Sequence, residues 1–129
     1  MAEKGNSTQR AHSKLTERII GVSIEVVHEL GAGFLEGVYH KAMLIALKDA
    51  GLEAEEHIPI SVSFRGYEVG SFQPDVIVDG NVLLELKAVK ALSGEHQAQV
   101  INYLKATGVD VGLLINFGRQ KLEWRRLYR

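Results

Sequence analysis

The sequence contains no cysteine, and this absence excludes several kinds of site at once. A chain without thiols has no disulfide, no thiolate zinc site, no iron–sulfur cluster and no cysteine nucleophile. It also has no apolar run approaching the ~20 residues that a membrane-spanning helix needs. Residues 1–14 are polar and lack the apolar stretch of a signal peptide, so we expect a cytoplasmic protein.

The sequence has no excess of positive or of negative charge. The 15 basic and 16 acidic residues give a net charge of −1, which excludes a strongly basic nucleic-acid coat but not a local basic groove. The length of 129 residues, with 46% hydrophobic residues, is enough for one buried core. We expect a disordered or frayed arm over residues 1–14 and a single domain over residues 15–129. The small size of this domain favours a homodimer or a partner subunit.

The hydrophobic pattern changes its period along the chain. The first part has apolar residues at helical spacing and predicts two helices, each ended by glycine. The middle part is typical of strands, and a third helix separates these strands from two more. The predicted order is ααββββαββ, an α/β (α+β) fold in which α-helices flank a mixed central β-sheet. The predicted segments are 15–30, 35–50, 58–64, 67–72, 75–78, 82–87, 95–107, 111–117 and 122–127.

The hairpin around the turn 79–81 carries the clearest chemical signal. If these three residues form the loop, Asp75 lies opposite Glu85, and the alternation of side chains puts Lys87 on the same face. Two carboxylates roughly 5 Å apart repel by about 3 kcal/mol even at an effective dielectric constant near 20. Either Lys87 or a divalent cation offsets this repulsion, and oxygen ligands favour Mg²⁺ or Mn²⁺. A two-residue loop would instead separate the two carboxylates onto opposite faces.

The same residues also have simpler interpretations. In one of them Asp75 caps a strand while Glu85 and Lys87 form a solvated ion pair. The helices add further polar groups, since Glu36 and Tyr39 share a face of the second helix and Glu36 lies in its first turn, where the helix dipole favours a carboxylate. On the third helix, a polar stripe lies opposite an apolar one, although such a stripe is often only the solvated side of a helix. The stripe consists of His96, Gln99 and Tyr103.

Several motifs together resemble a known family. Residues 33–39 read G-x-x-E-x-x-Y, which resembles the signature of the GxxExxY protein family, a group placed in the PD-(D/E)XK nuclease superfamily. The similarity covers residues 15–117 and implies a restriction-endonuclease-like core. The further matches are Pro74-Asp75, the E-x-K triplet Glu85-Leu86-Lys87, and His96 with Gln99-x-x-x-Tyr103, which is similar to a helix of RecB-like nucleases.

The resemblance implies a set of metal ligands. Asp75 and Glu85, with the main-chain carbonyl of Leu86, would hold Mg²⁺ or Mn²⁺. Glu36 would supply the additional acidic ligand. A divalent cation at such a site activates water near neutral pH and offsets developing phosphate charge.

The resemblance also implies catalytic roles beside the metal. Lys87 would orient or deprotonate the attacking water and support the phosphate, while Gln99 and Tyr103 would line the site and steady the lysine or the DNA backbone. The function implied is that of a metal-dependent nuclease that hydrolyses phosphodiester bonds of nucleic acid, with DNA as the expected partner. Two alternatives are a non-cleaving nucleic-acid-binding or assembly module that retains the fold, and a metal-dependent hydrolase of small phosphate compounds.

Two further groups of residues allow weaker interpretations. The five histidines lack zinc-site spacing and are not accompanied by cysteine, so the sequence predicts no zinc site. Basic residues gather near the C-terminal end, where Trp124 and Tyr128 are interleaved with them. They could follow a nucleic-acid backbone by charge and stacking, or simply keep an edge strand solvated. These basic residues are Arg119, Lys121, Arg125, Arg126 and Arg129.

Overall fold

A computed structural model describes residues 11–129 of the chain. Most of the predicted arm, residues 1–14, therefore lies outside the described residues, and the first helix begins at Ser13, slightly before the predicted domain boundary. None of the helices in the described range is long and apolar enough to cross a membrane. In chain order the elements are α1 (Ser13–Leu30), α2 (Glu36–Asp49), β1 (Ala54–Glu56), β2 (Ile60–Phe64), β3 (Tyr67–Phe72), β4 (Val76–Val78), β5 (Val82–Lys87), α3 (Gly94–Thr107), β6 (Val111–Asn116) and β7 (Glu123–Tyr128).

The main sheet has five strands in the order β1-β4-β5-β6-β7. Strands β5 and β6 are parallel, and every other neighbouring pair is antiparallel. The parallel pair needs a crossover connection, which α3 provides. The mixed central sheet flanked by helices, predicted from the sequence, is therefore confirmed.

The element order differs from the prediction in two details. Strand β1 was not predicted, because its Ala-Glu-Glu sequence is short and has a single small apolar residue. Strands β2 and β3 form a separate two-stranded sheet, in which nearly every residue is exposed. The alternation in this region correctly indicated strands, but the main sheet does not include them.

Both faces of the main sheet are covered. Strands β4 and β5 are interior strands, as their apolar sequences predict. Side chains on one face pack against α1 and α2, while those on the other face pack against α3. A carboxylate in this part of the sheet is therefore unusual and needs a specific partner. The residues of the first face are Val76, Val78, Val82, Leu84 and Leu86, and Leu83 and Leu114 pack with Val100 and Leu104 on the second.

Candidate active site

The register of the β4–β5 hairpin agrees with the three-residue loop considered for the sequence. Val78 pairs with Val82 and Val76 with Leu84, so Asp75, just before β4, lies in line with Glu85. The turn is tied to β1 as well, because the N–H of Glu53 donates to Oδ1 of Asp79 at 2.8 Å. The hairpin therefore brings the two predicted carboxylates side by side.

Backbone amides hold these two carboxylates reciprocally. The N–H of Asp75 donates to Oε1 of Glu85 at 3.0 Å, and the N–H of Leu86 donates to Oδ2 of Asp75 at 2.8 Å. Each carboxylate thus has one oxygen fixed by the opposite strand and a second oxygen outside these two bonds. Glu85 is only 6% exposed. The arrangement orients two acidic groups toward each other inside a largely apolar sheet.

The electrostatics of Glu85 reflect this placement. Burial, and then the neighbouring Asp75 carboxylate, raise the pKa of Glu85 to about 7, against the opposing effects of the Asp75 amide and Lys87. Within residues 11–129, Lys87 makes no ion pair shorter than 4.0 Å. A solvated Glu85–Lys87 ion pair is therefore not what the structure contains.

Glu36 begins α2 and lies near the same groups. Partial burial and the charge of Asp75 raise the pKa of the Glu36 carboxyl. The nearby cationic groups act in the opposite direction, with Lys87 first among them. Glu36 and Asp75 also line one cavity of about 360 Å³. The third predicted carboxylate thus faces the region of the first two.

Tyr39 explains how the chain positions Glu36. Its side chain is fully buried and stacks on Phe117, with ring centroids 5.0 Å apart. The hydroxyl donates to the carbonyl of Gly31 at 2.6 Å and accepts from the N–H of Phe34 at 3.2 Å. Gly33, between them, has a φ of 111°, which favours glycine. The G-x-x-E-x-x-Y segment therefore fixes the connection that precedes Glu36.

Helix α3 supplies the predicted polar stripe. Ser93 caps the helix through two reciprocal hydrogen bonds with His96. The backbone N–H of His96 donates to Oγ of Ser93 at 3.2 Å, and the backbone N–H of Ser93 donates to Nδ1 of His96 at 3.1 Å. An accepting Nδ1 puts the ring proton of neutral His96 on Nε2. The ring of Tyr103 stacks on that of Phe72, with ring centroids 3.9 Å apart. Burial, and then the charges of Glu85 and Asp75, raise the pKa of the Tyr103 hydroxyl. Gln99 is exposed one turn before Tyr103.

Asn116 is a buried residue that the sequence analysis did not single out. Its Oδ1 accepts from the N–H groups of Val89 and Gly118, at 2.9 and 3.0 Å. Its Nδ2 donates to the carbonyl of Val89 at 2.9 Å and to Oε1 of Glu123 at 3.0 Å. Because Val89 follows Lys87 closely, Asn116 fixes the end of β5 that carries the lysine. A lone asparagine in an otherwise apolar strand was the signal available in the sequence.

The donor set fits a divalent cation. Asp75 and Glu85 are adjacent carboxylates, no cation forms an ion pair with either of them among residues 11–129, and each has an oxygen free of the reciprocal bonds. Oxygen donors of this kind suit Mg²⁺ or Mn²⁺. The amide of Leu86 bonds Asp75, whereas the role predicted for its carbonyl remains a prediction.

Two histidines that the sequence analysis set aside also lie at this place. One ligand atom each from His40, His57 and Asp75 lies within 4.8 Å of the others. His57 follows β1, so failure to predict that strand also hid its proximity to Asp75.

The basic residues near the C-terminal end are partly paired. Arg119 and Arg125 lie 3.9 and 3.7 Å from Glu123, and Arg129 lies 2.7 Å from Asp110. They belong to or flank the edge strand β7. Carboxylates therefore offset part of the positive charge in this segment.

Comparisons with known proteins agree with this architecture. The family model described as the PD-(D/E)XK nuclease superfamily matches residues 13–127. The crystal structure of SSO0001 has a similar fold, with a TM-score of 0.56 and 16% sequence identity. That similarity covers 72% of this chain and 49% of the SSO0001 chain, so this chain spans about half of its length. No curated protein sequence gives a significant match.

Proposed function

The chain belongs to the PD-(D/E)XK nuclease superfamily, and we propose that it is a metal-dependent nuclease that hydrolyses phosphodiester bonds of nucleic acid, with DNA as its substrate. The observation that carries the proposal is the reciprocal bonding of Asp75 and Glu85 by backbone amides, beside Glu36 and Lys87. We also propose membership of the narrower GxxExxY family, on the basis of the segment from Gly33 to Tyr39.

Four residues would hold the metal ion, Mg²⁺ or Mn²⁺. They are Asp75 and Glu85 through carboxylate oxygens, Leu86 through its carbonyl, and Glu36 from α2. The bound cation supplies Lewis acidity, which makes water a better nucleophile and offsets phosphate charge. The chain contributes preorganisation, because the amides of Asp75 and Leu86 fix both carboxylates before any cation binds.

Lys87 would act on the attacking water and on the phosphate. It lies two residues after Glu85 on β5, so both side chains share a face of the sheet. Its positive charge partly offsets the rise in the pKa of Glu36 and of Glu85, so it acts on both carboxyl groups. At this position the ammonium group orients water and stabilises negative charge as a point charge.

Gln99 and Tyr103 would position the nucleic-acid backbone. The raised pKa of Tyr103 keeps its hydroxyl protonated, so this group can donate a hydrogen bond to a phosphate oxygen. The exposed Gln99 amide, one turn away, is a second donor. A single domain over residues 15–129 would contact only a short stretch of duplex, so we further propose a homodimer or a partner subunit.

The test is a cleavage assay on labelled linear, circular, single-stranded and branched DNA, and on RNA, with Mg²⁺, Mn²⁺ or EDTA. The wild type is compared with Glu85→Gln and Lys87→Ala. Glu17→Gln and Lys48→Ala, both on exposed helix surfaces, serve as matched controls. We expect cleavage that requires the metal and falls by at least about 100-fold in both site variants, since each removes a group that stabilises the transition state.

Two other outcomes would contradict the proposal. If the wild type cuts no substrate with either metal, the chain is better described as a binding or assembly module with a nuclease fold. If cutting survives both site substitutions, the catalytic residues have been assigned to the wrong place.

A further inference from the structure

His57 lies directly beside Asp75 at the end of the sheet. Strand β1 pairs with β4 so that Glu56 is opposite Val76, and the N–H of His57 donates to the carbonyl of Asp75 at 3.2 Å. Because Asp75 is in turn aligned with Glu85, a row across three strands begins with His57 and ends with Glu85. Its φ of 55° places His57 in the left-handed region, uncommon for a residue other than glycine.

His40 approaches this row from α2. It lies one turn after Glu36, and its ring meets that of His57 edge to face, with centroids 5.0 Å apart. One ligand atom from each of His40, His57 and Asp75 lies within 4.8 Å of the other two. Glu56 adds a fourth donor, since its Oε2 lies 2.7 Å from Nε2 of His40 and 3.9 Å from Nε2 of His57.

The donors face a shared cavity. His40, His57, Glu56 and Asp75 line the same cavity of about 360 Å³ that Glu36 reaches. The His40–Glu56 hydrogen bond and the pairing of β1 with β4 bring these side chains together. The resulting set of two imidazoles and two carboxylates around one cavity has the composition of a metal site.

The chemistry of this set differs from that of the Asp75–Glu85 pair. Two imidazoles with two carboxylates form a mixed nitrogen and oxygen set, which suits Zn²⁺ and related transition metals more than Mg²⁺. Zinc bonds of about 2.0–2.2 Å in a tetrahedral site put ligand atoms roughly 3.4 Å apart. The present separations of up to 4.8 Å are wider than this, and rotation of the His57 and Glu56 side chains, which are 54% and 51% exposed, would have to close the difference.

We propose that His40, Glu56, His57 and Asp75 form a binding site for a divalent transition metal of the zinc class, next to the Asp75–Glu85 pair and sharing Asp75 with it. Because Oδ2 of Asp75 accepts from the N–H of Leu86, Oδ1 is the oxygen free of that bond, and the two sites would have it in common. The site goes beyond the nuclease function and does not depend on it, because its ligands bind metal whether or not the chain cleaves nucleic acid.

Direct metal binding tests this site. The full chain, freed of metal with EDTA and then desalted, is titrated with Zn²⁺ against a chromogenic chelator, and with Co²⁺ while its visible absorption is followed. The variants are His40→Gln and His57→Gln. The control is His28→Gln, which changes an exposed histidine on α1. Thermal unfolding without metal shows whether each variant is folded, and the exposed His57 is the safer of the two substitutions.

We expect the wild type to bind a single Zn²⁺ tightly and to give the intense absorption of tetrahedral Co²⁺. Each site variant should bind Zn²⁺ at least about 100-fold more weakly, since even second-shell losses cost about 10–100-fold. The control should bind like the wild type. Unchanged affinity in His57→Gln, or absence of Zn²⁺ binding by the wild type, would overturn the proposal. No nucleic acid is present, so a failed cleavage assay leaves this result unaffected.

Discussion

Asp75 and Glu85 are fixed to each other through backbone amides and not through a side-chain cation. The N–H of Asp75 binds Oε1 of Glu85 at 3.0 Å, while Oδ2 of Asp75 accepts the N–H of Leu86 at 2.8 Å. When Glu85 is ionised, two like charges are held together at a partly buried position, where they repel each other. A bound cation would then relieve this unfavourable interaction.

The first prediction concerns pH and metal. The folded pKa of Glu85 is about 7, above the unfolded value of 4.5, because burial and Asp75 disfavour the ionised form. The contribution of Glu85 to stability is therefore fully present below pH 4.5 and is lost as the pH rises through about 7. A divalent cation favours the ionised form, so Mg²⁺ or Mn²⁺ should raise the melting temperature more at about pH 8 than at about pH 5.

Thermal unfolding in EDTA and in each metal, across this pH range, checks the prediction. The Glu85→Gln variant should lose both the pH-dependent step and most of the metal stabilisation, whereas Glu17→Gln should keep them. Equal metal stabilisation at both ends of the range would show that Glu85 does not titrate in this way.

The second prediction concerns Tyr39. Tyr39→Phe keeps the stacking on Phe117 but leaves the Gly31 carbonyl and the Phe34 amide without their hydroxyl partner. We expect the free energy of unfolding to fall by about 1–3 kcal/mol, as measured in urea. Tyr67→Phe, on the exposed β2–β3 hairpin, is the control and should change stability little. A Tyr39→Phe variant as stable as the wild type would show that the hydroxyl does not fix this connection.

The third prediction asks whether the Tyr103 hydroxyl contributes to cleavage and not to the stability of the fold. Tyr103→Phe retains the ring that stacks on Phe72 and removes only the hydroxyl near Glu85 and Asp75. The melting temperature should therefore stay close to that of the wild type, while the cleavage rate falls by about 3–10-fold through loss of a hydrogen bond. An unchanged rate would remove Tyr103 from the site, and a large loss of stability would indicate a structural role instead.

The fourth prediction compares two glycines. A Cβ on Gly118 would lie 2.2 Å from the carbonyl oxygen of Val89, in the segment that follows Lys87. Gly118→Ala should lower the free energy of unfolding by about 1–3 kcal/mol, because backbone atoms would have to move. Gly21, exposed in α1, has no heavy atom within 4 Å of such a Cβ. Gly21→Ala should raise stability by about 0.5–1 kcal/mol through helix propensity, and urea denaturation of both variants measures the contrast.

The sequence was sufficient where the geometry is local. The position of Lys87 relative to Glu85 follows from the alternation of side chains along one strand. The alignment of Asp75 with Glu85 follows from the same alternation only with a three-residue loop, one of the two loop lengths that the sequence left open, and the structure has that loop.

The sequence was insufficient where distant segments meet. His57 reaches Asp75 only because β1 pairs with β4, and three residues with two glutamates give almost no strand signal. Asn116 forms hydrogen bonds with the backbone of Val89, which lies 27 residues away along the chain. In the β2–β3 hairpin, the alternation correctly predicts strands, but Val62 and Val69 remain exposed. An alternating pattern predicts that a strand has two different faces, but it does not predict which elements pack against them.

The number of residues in the turn at 79–81 determines which side chains of β5 face the candidate site. The turn contributes no proposed ligand, yet its count of three residues decides which face of the sheet Glu85 and Lys87 occupy. Removing or adding a single residue would rotate both side chains toward α1 and α2, while adding a pair would restore their direction. Substitutions that preserve the count leave Glu85 and Lys87 on the same face, so alanine scanning would not reveal this role of the turn. Its importance would emerge from a series of insertions and deletions, as an alternation between active and inactive chains.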